Sequence, residues 1–156
     1  MKERPSYNHV TILIAEDDDG HAELIQDLLR EAGVTNPIVR FRDGQEVLDY
    51  LGIDGESKLE DGAKYLLLLD IRMPRVDGVE VLRRLKANPR LKNIPVIMLT
   101  TTDDPREVQR SYEQGCSFYI TKPVDFTRFT SVLRQIGLFL LVVELPKVQD
   151  QDSGTH

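Results

Sequence analysis

The chain has 156 residues and a formal charge of −6, with 20 Lys or Arg residues against 26 Asp or Glu. This length fits one domain with a substantial core and is too short for two ordinary domains. The excess of acidic residues gives no basic surface of the kind that binds nucleic acid, so a nucleic-acid partner is not expected. No apolar run approaches the roughly 20 residues that a membrane-spanning helix needs, so a membrane association is not expected either.

Residues 1–9 are polar, which predicts a flexible N-terminus. From residue 10 onwards, short apolar runs alternate with segments of helical periodicity. Apolar runs of this length, bounded by polar clusters, are typical of buried parallel strands. The pattern predicts five strands, at Val10–Ala15, Pro37–Phe41, Tyr65–Leu69, Ile94–Leu99 and Phe118–Ile120.

A helical segment follows each predicted strand. These helices are expected near His21–Ala32, after Asp43-Gly44, after Asp77-Gly78, from Asp104-Pro105 to Gly115, and from Asp125 onwards. Five βα units in succession predict an α/β protein with a doubly wound parallel sheet. Residues 52–64 interrupt the rhythm with three glycines and many charges, which predicts an exposed insertion.

Four of the predicted strands end in groups that suit one small, highly charged pocket. The segments are ILIAED, LLLLD, VIMLT and FYITKP, and they carry Glu16-Asp17, Asp70, Thr100 and Lys122. In an open α/β sheet, ligands bind in the crevice at the carboxyl ends of the strands. These side chains are therefore expected to converge on one site.

Taken singly, each group has an ordinary explanation, because Asp70 can cap a turn, Glu16 and Asp17 can be loop acids, and most lysines lie on the surface. Taken together, crowded carboxylates repel one another and must either protonate or bind a cation. A divalent ion with oxygen ligands, Mg²⁺ before Ca²⁺, needs few protein ligands. Lys122 and Thr100 can then meet a phosphoryl group, so the expected chemistry is in-line phosphoryl transfer to Asp70.

The motifs ILIAED, LLLLDIRMPRVDG, VIMLTT and FYITKP resemble the four signatures of response-regulator receiver domains. The resemblance runs from about Val10 to Ile136, so we expect a receiver domain over residues 10–137. It implies a flavodoxin-like (βα)5 fold with a five-stranded parallel sheet in the order 2-1-3-4-5. It also implies a signalling protein rather than an enzyme, which accepts a phosphoryl group from a sensor histidine kinase and catalyses only its own Mg²⁺-dependent phosphorylation and dephosphorylation.

The resemblance assigns the metal site. Asp70 would be the phosphoacceptor and, with Asp17, a direct Mg²⁺ ligand, whereas Glu16 would act through water. The backbone carbonyl of Arg72 would complete the protein ligands. Glu16 stands where the family more commonly has Asp, and we expect this carboxylate to retain metal binding.

The resemblance also assigns the conformational switch. Thr100 would be the hydroxyl that moves toward the phosphoryl group, and Lys122 would be the ion-pair partner of that group. Tyr119 matches the switch aromatic of the family, although a strand tyrosine is otherwise an ordinary core residue. The exposed side of the first helix would be the kinase-docking surface, with His21, Glu23 and Gln26.

Two features narrow the resemblance to the stand-alone receivers that partner bacterial phytochrome kinases: the insertion at 52–64 and the ending GLFLLVVELP. Residues 138–146 form an apolar extension, which we interpret as a dimerisation arm. A homodimer would then use this arm together with helix 4, strand 5 and helix 5. The alternative is that the arm continues helix five onto its own domain. Residues 147–156 are polar and predict a disordered tail.

Two other functions stay open. A Mg²⁺-dependent phosphatase with an aspartate nucleophile, of the haloacid dehalogenase type, would want a second Asp where this chain has Arg72. A binding scaffold that is never phosphorylated is the other alternative. Cys116 is the only cysteine, which excludes an internal disulfide, and MKERPSYNH has no apolar stretch of the kind found in signal peptides. We therefore expect a cytoplasmic protein.

Overall fold

The computed structural model describes residues 10–53, 55–101, 104–122 and 125–135. Within these ranges the strands are β1 (Val10–Ala15), β2 (Ile38–Phe41), β3 (Lys64–Asp70), β4 (Val96–Thr100) and β5 (Phe118–Thr121). The helices are α1 (Asp19–Glu31), α2 (Gly44–Leu51), α3 (Gly78–Lys86), α4 (Pro105–Glu113) and α5 (Phe126–Gln135). The predicted flexible N-terminus, apolar extension and polar tail lie outside the described residues.

The strands form one parallel sheet in the order β2-β1-β3-β4-β5. This confirms the predicted fold class. The predicted elements all exist, with bounds that differ by a few residues. Strand β4, for example, begins at Val96 rather than Ile94, because the backbone amide of Ile94 donates to the Leu91 carbonyl in the preceding turn.

Helices cover both faces of the sheet. Side chains of α1 and α5 pack with one set of alternating strand residues, including Ile12 and Leu66. Side chains of α2 and α3 pack with the opposite set, including Leu13 and Leu67. All seven residues of β3 are buried, as expected for the central strand of a doubly wound sheet. None of the described helices is long and apolar enough to cross a membrane.

Four helices start at an aspartate that follows a strand-end loop: Asp18, Asp43, Asp77 and Asp104. In each case the carboxylate accepts a hydrogen bond from a backbone amide in the first turn, which satisfies a donor that the helix leaves unpaired. These caps fix where each loop ends.

The segment 52–64, which the sequence predicts to be an exposed insertion, contains two buried side chains. Leu59 is buried in the core, and Lys64 is buried as the first residue of β3. Gly52 adopts a left-handed conformation with φ of 78°, which ends α2. The returning chain is held there because the amide of Lys58 donates to the Tyr50 carbonyl at 2.9 Å. A mostly polar segment can thus contribute one apolar anchor to the core.

Candidate functional site

The parallel register brings the four predicted strand ends to one edge of the sheet. Ala15 pairs with Leu69, Asp70 with Leu99, and Thr100 with Thr121. The backbone amide of Lys122 donates to the carbonyl of Thr100 at 2.6 Å, which extends the β4–β5 pairing by one residue. The site is therefore positioned by the sheet itself.

Asp70 lies at the end of β3 with only 4% of its surface exposed. The N-terminus of α3 sits directly on its backbone. The amide of Gly78 donates to the Ile71 carbonyl at 2.7 Å, and a Cβ atom on Gly78 would lie 2.2 Å from the Asp70 carbonyl oxygen. Only glycine permits this approach, so Gly78 helps to fix the position of Asp70.

Glu16, Asp17 and Asp70 form the expected acidic cluster. Each offers a carboxylate oxygen, and these oxygens lie within 4.8 Å of one another. Glu16 and Asp70 are buried, whereas Asp17 is exposed. Burial, and then the charge of Glu16, raises the pKa of Asp70 to about 6, against the opposing effect of Lys122. Crowded oxygen ligands with excess negative charge suit a hard divalent cation, so these residues fit such an ion.

The Lys122 ammonium is held inside this cluster, with its side chain only 7% exposed. Its Nζ atom lies 2.5 Å from Glu16 Oε1 and 3.4 Å from Asp70 Oδ1. The lysine is thus closer to Glu16 than to the expected phosphoacceptor. Nζ also lies 3.3 Å from His21 Nδ1.

Sequence reasoning placed His21 on an exposed docking surface and missed its contact with Lys122. The two residues lie 101 positions apart in the chain. One signal could have found the histidine, since it follows the Asp18-Asp19-Gly20 loop and must therefore lie in the first turn after the strand end.

Arg40 on β2 is a second residue that sequence reasoning missed. Its Nε and Nη2 atoms donate to the Glu16 carbonyl at 3.1 and 2.7 Å, and its Nη1 donates to Asp19 Oδ1 at 2.6 Å. Arg42 also pairs with Asp19, and these two arginines lower the pKa of that carboxyl group. The guanidinium groups hold the β1–α1 loop, which carries Glu16 and Asp17, against the edge of β2.

Thr100 and Tyr119 occupy buried positions near this edge. Thr100 ends β4 with no exposed surface, and Tyr119 is 5% exposed and packs in the core. The Tyr119 ring lies 6.4 Å from the Tyr112 ring. The backbone carbonyl of Tyr119 accepts a hydrogen bond from Arg128 Nη2 at 3.0 Å. The structure thus places Thr100 at the carboxyl end of β4 and the Tyr119 side chain in the core, beside Tyr112 of α4. Their switch roles stay predictions.

Arg72 lies two residues beyond Asp70, and its guanidinium reaches toward α4. Its Nη2 atom is 3.6 Å from Glu107 Oε2, and the arginine side chain is 66% exposed. Both residues line a cavity of about 400 Å³ between α3 and α4, which Glu80 and Arg110 also line. The expected metal contact through the Arg72 carbonyl stays a prediction.

A doubly wound sheet in the order 2-1-3-4-5, with clustered carboxylates and one lysine at its carboxyl edge, defines the receiver class of α/β protein. The chain belongs to the response regulator receiver domain family, whose model matches residues 12–134. This confirms the predicted family, whose members are signalling proteins.

Two curated relatives match most of the chain. The probable methanogenesis regulatory protein FilR2 of Methanothrix harundinacea is 38% identical over 133 residues, covering 83% of each chain. The response regulator Rcp1 of Synechocystis is 35% identical over 136 residues, covering 86% of this chain and 92% of the relative.

Solved structures agree with the family. A response regulator receiver domain from Rhodospirillum rubrum has a TM-score of 0.76 at 44% identity, covering 90% of this chain and 99% of that one. The phosphorylated cyanobacterial phytochrome response regulator RcpA has a TM-score of 0.72 at 34% identity, covering 88% and 99%. The Mn²⁺-bound form of Rcp1 has a TM-score of 0.69 at 34% identity, covering 87% and 98%. The chain therefore resembles phytochrome-associated receivers.

Proposed function

We propose that this chain is a response regulator that accepts a phosphoryl group from a histidine kinase on Asp70. The observation that carries the proposal is the buried Asp70 carboxylate at a sheet edge, which lies beside two further carboxylates and 3.4 Å from the Lys122 ammonium. A nucleophile, a cation site and a fixed positive charge are what phosphoryl transfer requires. Glu16, Asp17, Asp70 and the carbonyl of Arg72 would hold Mg²⁺, and the Mn²⁺-bound form of Rcp1 supports a divalent ion.

The proposed transfer is a displacement at phosphorus. A carboxylate oxygen of Asp70 attacks phosphorus, and the bond from phosphorus to the donor nitrogen of a phosphohistidine breaks, so that the imidazole leaves with the electron pair. With acetyl phosphate the bond to the acyl oxygen breaks and acetate leaves. Lys122 balances the charge of the incoming oxygens. Bound Mg²⁺ would neutralise the negative charge shared by the phosphoryl group and the carboxylates.

Signalling would follow as a population shift between two conformations. The new anionic group on Asp70 would draw Lys122 away from Glu16 and attract the Thr100 hydroxyl. Tyr119, which packs behind that edge, would then change its packing and carry the change to α4, β5 and α5. This face exposes Tyr112 and Phe126, and exposed aromatic residues suit a partner or a second copy.

The kinase that we propose as the partner is of the phytochrome type. The support is the similarity to RcpA, a phytochrome response regulator, over 88% of this chain. Phosphotransfer from a purified phytochrome kinase should be faster than from an unrelated histidine kinase of equal autophosphorylation level. Equal rates with both kinases would contradict this choice of partner.

The first test is incubation with acetyl phosphate or carbamoyl phosphate and Mg²⁺, followed by intact mass measurement. One phosphoryl adduct is expected on the wild-type chain and none on Asp70→Asn. The matched control is Asp27→Asn, an exposed aspartate on α1 whose loss should leave the adduct unchanged. A wild-type chain that forms no Mg²⁺-dependent adduct with these donors or with a kinase would refute the proposal.

A turnover assay on a generic phosphate ester, run beside the mass measurement, separates the alternatives. A phosphatase of the haloacid dehalogenase type would release phosphate from a generic ester over many turnovers. Its second acid is missing here, because Arg72 takes that position and pairs with Glu107. A scaffold that is never phosphorylated would show neither the adduct nor turnover.

A further inference from the structure

We propose that His21 is a positioning residue for Lys122, and that its Nδ1 atom accepts the third hydrogen of the lysine ammonium. The role of Lys122 in phosphoryl transfer rests on the proposed function, whereas the contact itself does not. This contact joins the first turn of α1 to the end of β5 across the phosphoacceptor site.

The hydrogen-bonding capacity of lysine carries the first step. An ammonium group has three donors and no acceptor. Among the described residues, three acceptor atoms surround Nζ: Glu16 Oε1 at 2.5 Å, His21 Nδ1 at 3.3 Å and Asp70 Oδ1 at 3.4 Å. The Lys122 side chain is only 7% exposed, so water has little access to replace a missing acceptor. Each of the three donors thus has one partner.

Because Lys122 Nζ has donors only, a hydrogen bond between it and His21 requires the ring nitrogen to be the acceptor. His21 Nδ1 lies 3.3 Å from Lys122 Nζ but 3.8 Å from Glu16 Oε2. The first distance is within reach of a weak hydrogen bond and the second is not. Nδ1 therefore serves as an acceptor for the ammonium rather than as a donor to the carboxylate. The ring then carries its hydrogen on Nε2.

The backbone around His21 is fixed well enough to aim the ring. Its amide donates to Asp18 Oδ1 at 2.9 Å, so the residue is tied to the N-cap of α1. The loop before it is tied to β2 by Arg40, which donates to the Glu16 carbonyl. The imidazole is 47% exposed, so it approaches the lysine from the outer rim of the site.

A neutral acceptor has a specific consequence here. A third carboxylate at this position would offset more of the lysine charge and would repel an incoming phosphoryl group. An imidazole nitrogen directs one N–H bond without adding negative charge. Lys122 can then exchange Glu16 for a phosphoryl oxygen while His21 still holds it. His21 should therefore favour transfer to Asp70 without itself touching the reacting atoms.

The test compares two substitutions of His21. Asparagine keeps an acceptor oxygen near the position of Nδ1, whereas phenylalanine keeps the ring and removes the acceptor. We expect His21→Phe to slow phosphorylation by acetyl phosphate about fivefold, the equivalent of about 1 kcal/mol. The loss should fall on the maximal rate rather than on the half-saturating donor concentration. His21→Asn should recover most of the rate, and Asp27→Asn on the same helix should match wild type.

A spectroscopic readout tests the contact without phosphorylation. Nitrogen NMR of the wild-type chain should show the Nε2–H tautomer of His21 and a Lys122 ammonium signal protected from exchange. That protection should persist in His21→Asn and disappear in His21→Phe. An Nδ1–H tautomer, or a His21→Phe variant equal to wild type in rate and in ammonium protection, would overturn the proposal. A wild-type chain that is never phosphorylated would refute the proposed function, and the NMR signals would still decide the contact.

Discussion

At the scale of single residues, the ionised Asp70 carboxylate destabilises the fold, and the charge of Lys122 offsets this effect only in part. The carboxyl group is buried beside Glu16, and its pKa is raised from 3.8 to about 6. A raised folded-state pKa means that folding favours the protonated form. Ionisation therefore destabilises the metal-free fold, and stability falls as the pH rises from about 4 to about 6.

We predict that Asp70→Asn stabilises the metal-free protein at neutral pH by about 2 to 3 kcal/mol, since a shift of roughly two pKa units corresponds to about 2.7 kcal/mol. The measurement is denaturant unfolding with a chelator present. The gain should vanish below about pH 4, where the wild-type carboxyl group is protonated in both states.

Two comparisons make this prediction specific. Mg²⁺ should stabilise wild type and narrow the gap to Asp70→Asn, because a ligand stabilises only the state that binds it. Asp27→Asn, at an exposed position on α1, should change neither the stability nor its pH dependence. An Asp70→Asn variant less stable than wild type at neutral pH would contradict the assigned cost of the buried charge.

The residues of the site divide into those that the sequence predicts and those that it does not. Glu16, Asp70 and Lys122 were predictable because they follow strands, and parallel strands bring their carboxyl ends to one edge. His21 and Arg40 were not, because their contacts depend on how α1 and β2 dock against that edge. No periodicity in the chain encodes a distance between elements. The sequence thus predicts that these charged groups converge, but it does not predict which residue each of them contacts.

At the scale of elements, the N-terminus of α3 fixes the backbone of Asp70 by packing directly against it. A Cβ atom at Gly78 would lie 2.2 Å from the Asp70 carbonyl oxygen and 2.9 Å from Ile71 Cα. Both neighbours are backbone atoms, so neither can rotate away. The helix would have to retreat from β3 to accept any side chain.

We predict that Gly78→Ala destabilises the protein by about 2 to 3 kcal/mol, the usual cost of overpacking a fixed site. It should also slow Asp70 phosphorylation, because the phosphoacceptor loop must move. The control is Gly55→Ala, where a Cβ atom would meet nothing within 4 Å. Thermal unfolding and acetyl phosphate labelling would check both effects. A Gly78→Ala variant as stable as Gly55→Ala would contradict the close approach.

The helices and strands themselves followed from simple patterns, whereas the buried side chains of the segment 52–64 did not. The run of leucines in β3 and the aspartate caps of the helices were readable, because burial and capping act locally. The segment 52–64 looked fully exposed because its composition is polar. Its fold depends on Leu59 reaching the core and on Lys64 being accommodated in β3. Such contacts depend on the tertiary structure.

At the scale of the whole molecule, the proposed switch residues lie beside two helices that carry exposed aromatic side chains. Thr100 and Tyr119, whose switch roles we propose, lie on β4 and β5, and both α4 and α5 contact β5. Tyr112 is 47% exposed and Phe126 is 43% exposed on those two helices. We propose that this α4–β5–α5 face carries a change at Asp70 to the surface and that a second copy of the chain covers it.

The last prediction concerns that second copy. The apolar stretch at residues 138–145 lies outside the described residues, and in the sequence it begins three positions after Gln135, the last described residue of α5. An apolar arm left exposed would favour aggregation, whereas pairing with an identical arm buries it in a closed, symmetric contact. We expect size-exclusion chromatography with light scattering to give a dimer at micromolar concentration, and a monomer after deletion of Leu138–Leu145.

Two further variants separate a specific dimer from a general loss of fold. Deletion of the polar residues 147–156 should leave the dimer intact, because it removes no apolar surface. Tyr112→Ser should weaken the dimer if the α4–β5–α5 face takes part, while Asp70 remains open to acetyl phosphate labelling in every variant. A full-length chain that is a monomer, with a mass distribution unaltered by removing Leu138–Leu145, would show that the arm packs on its own domain instead.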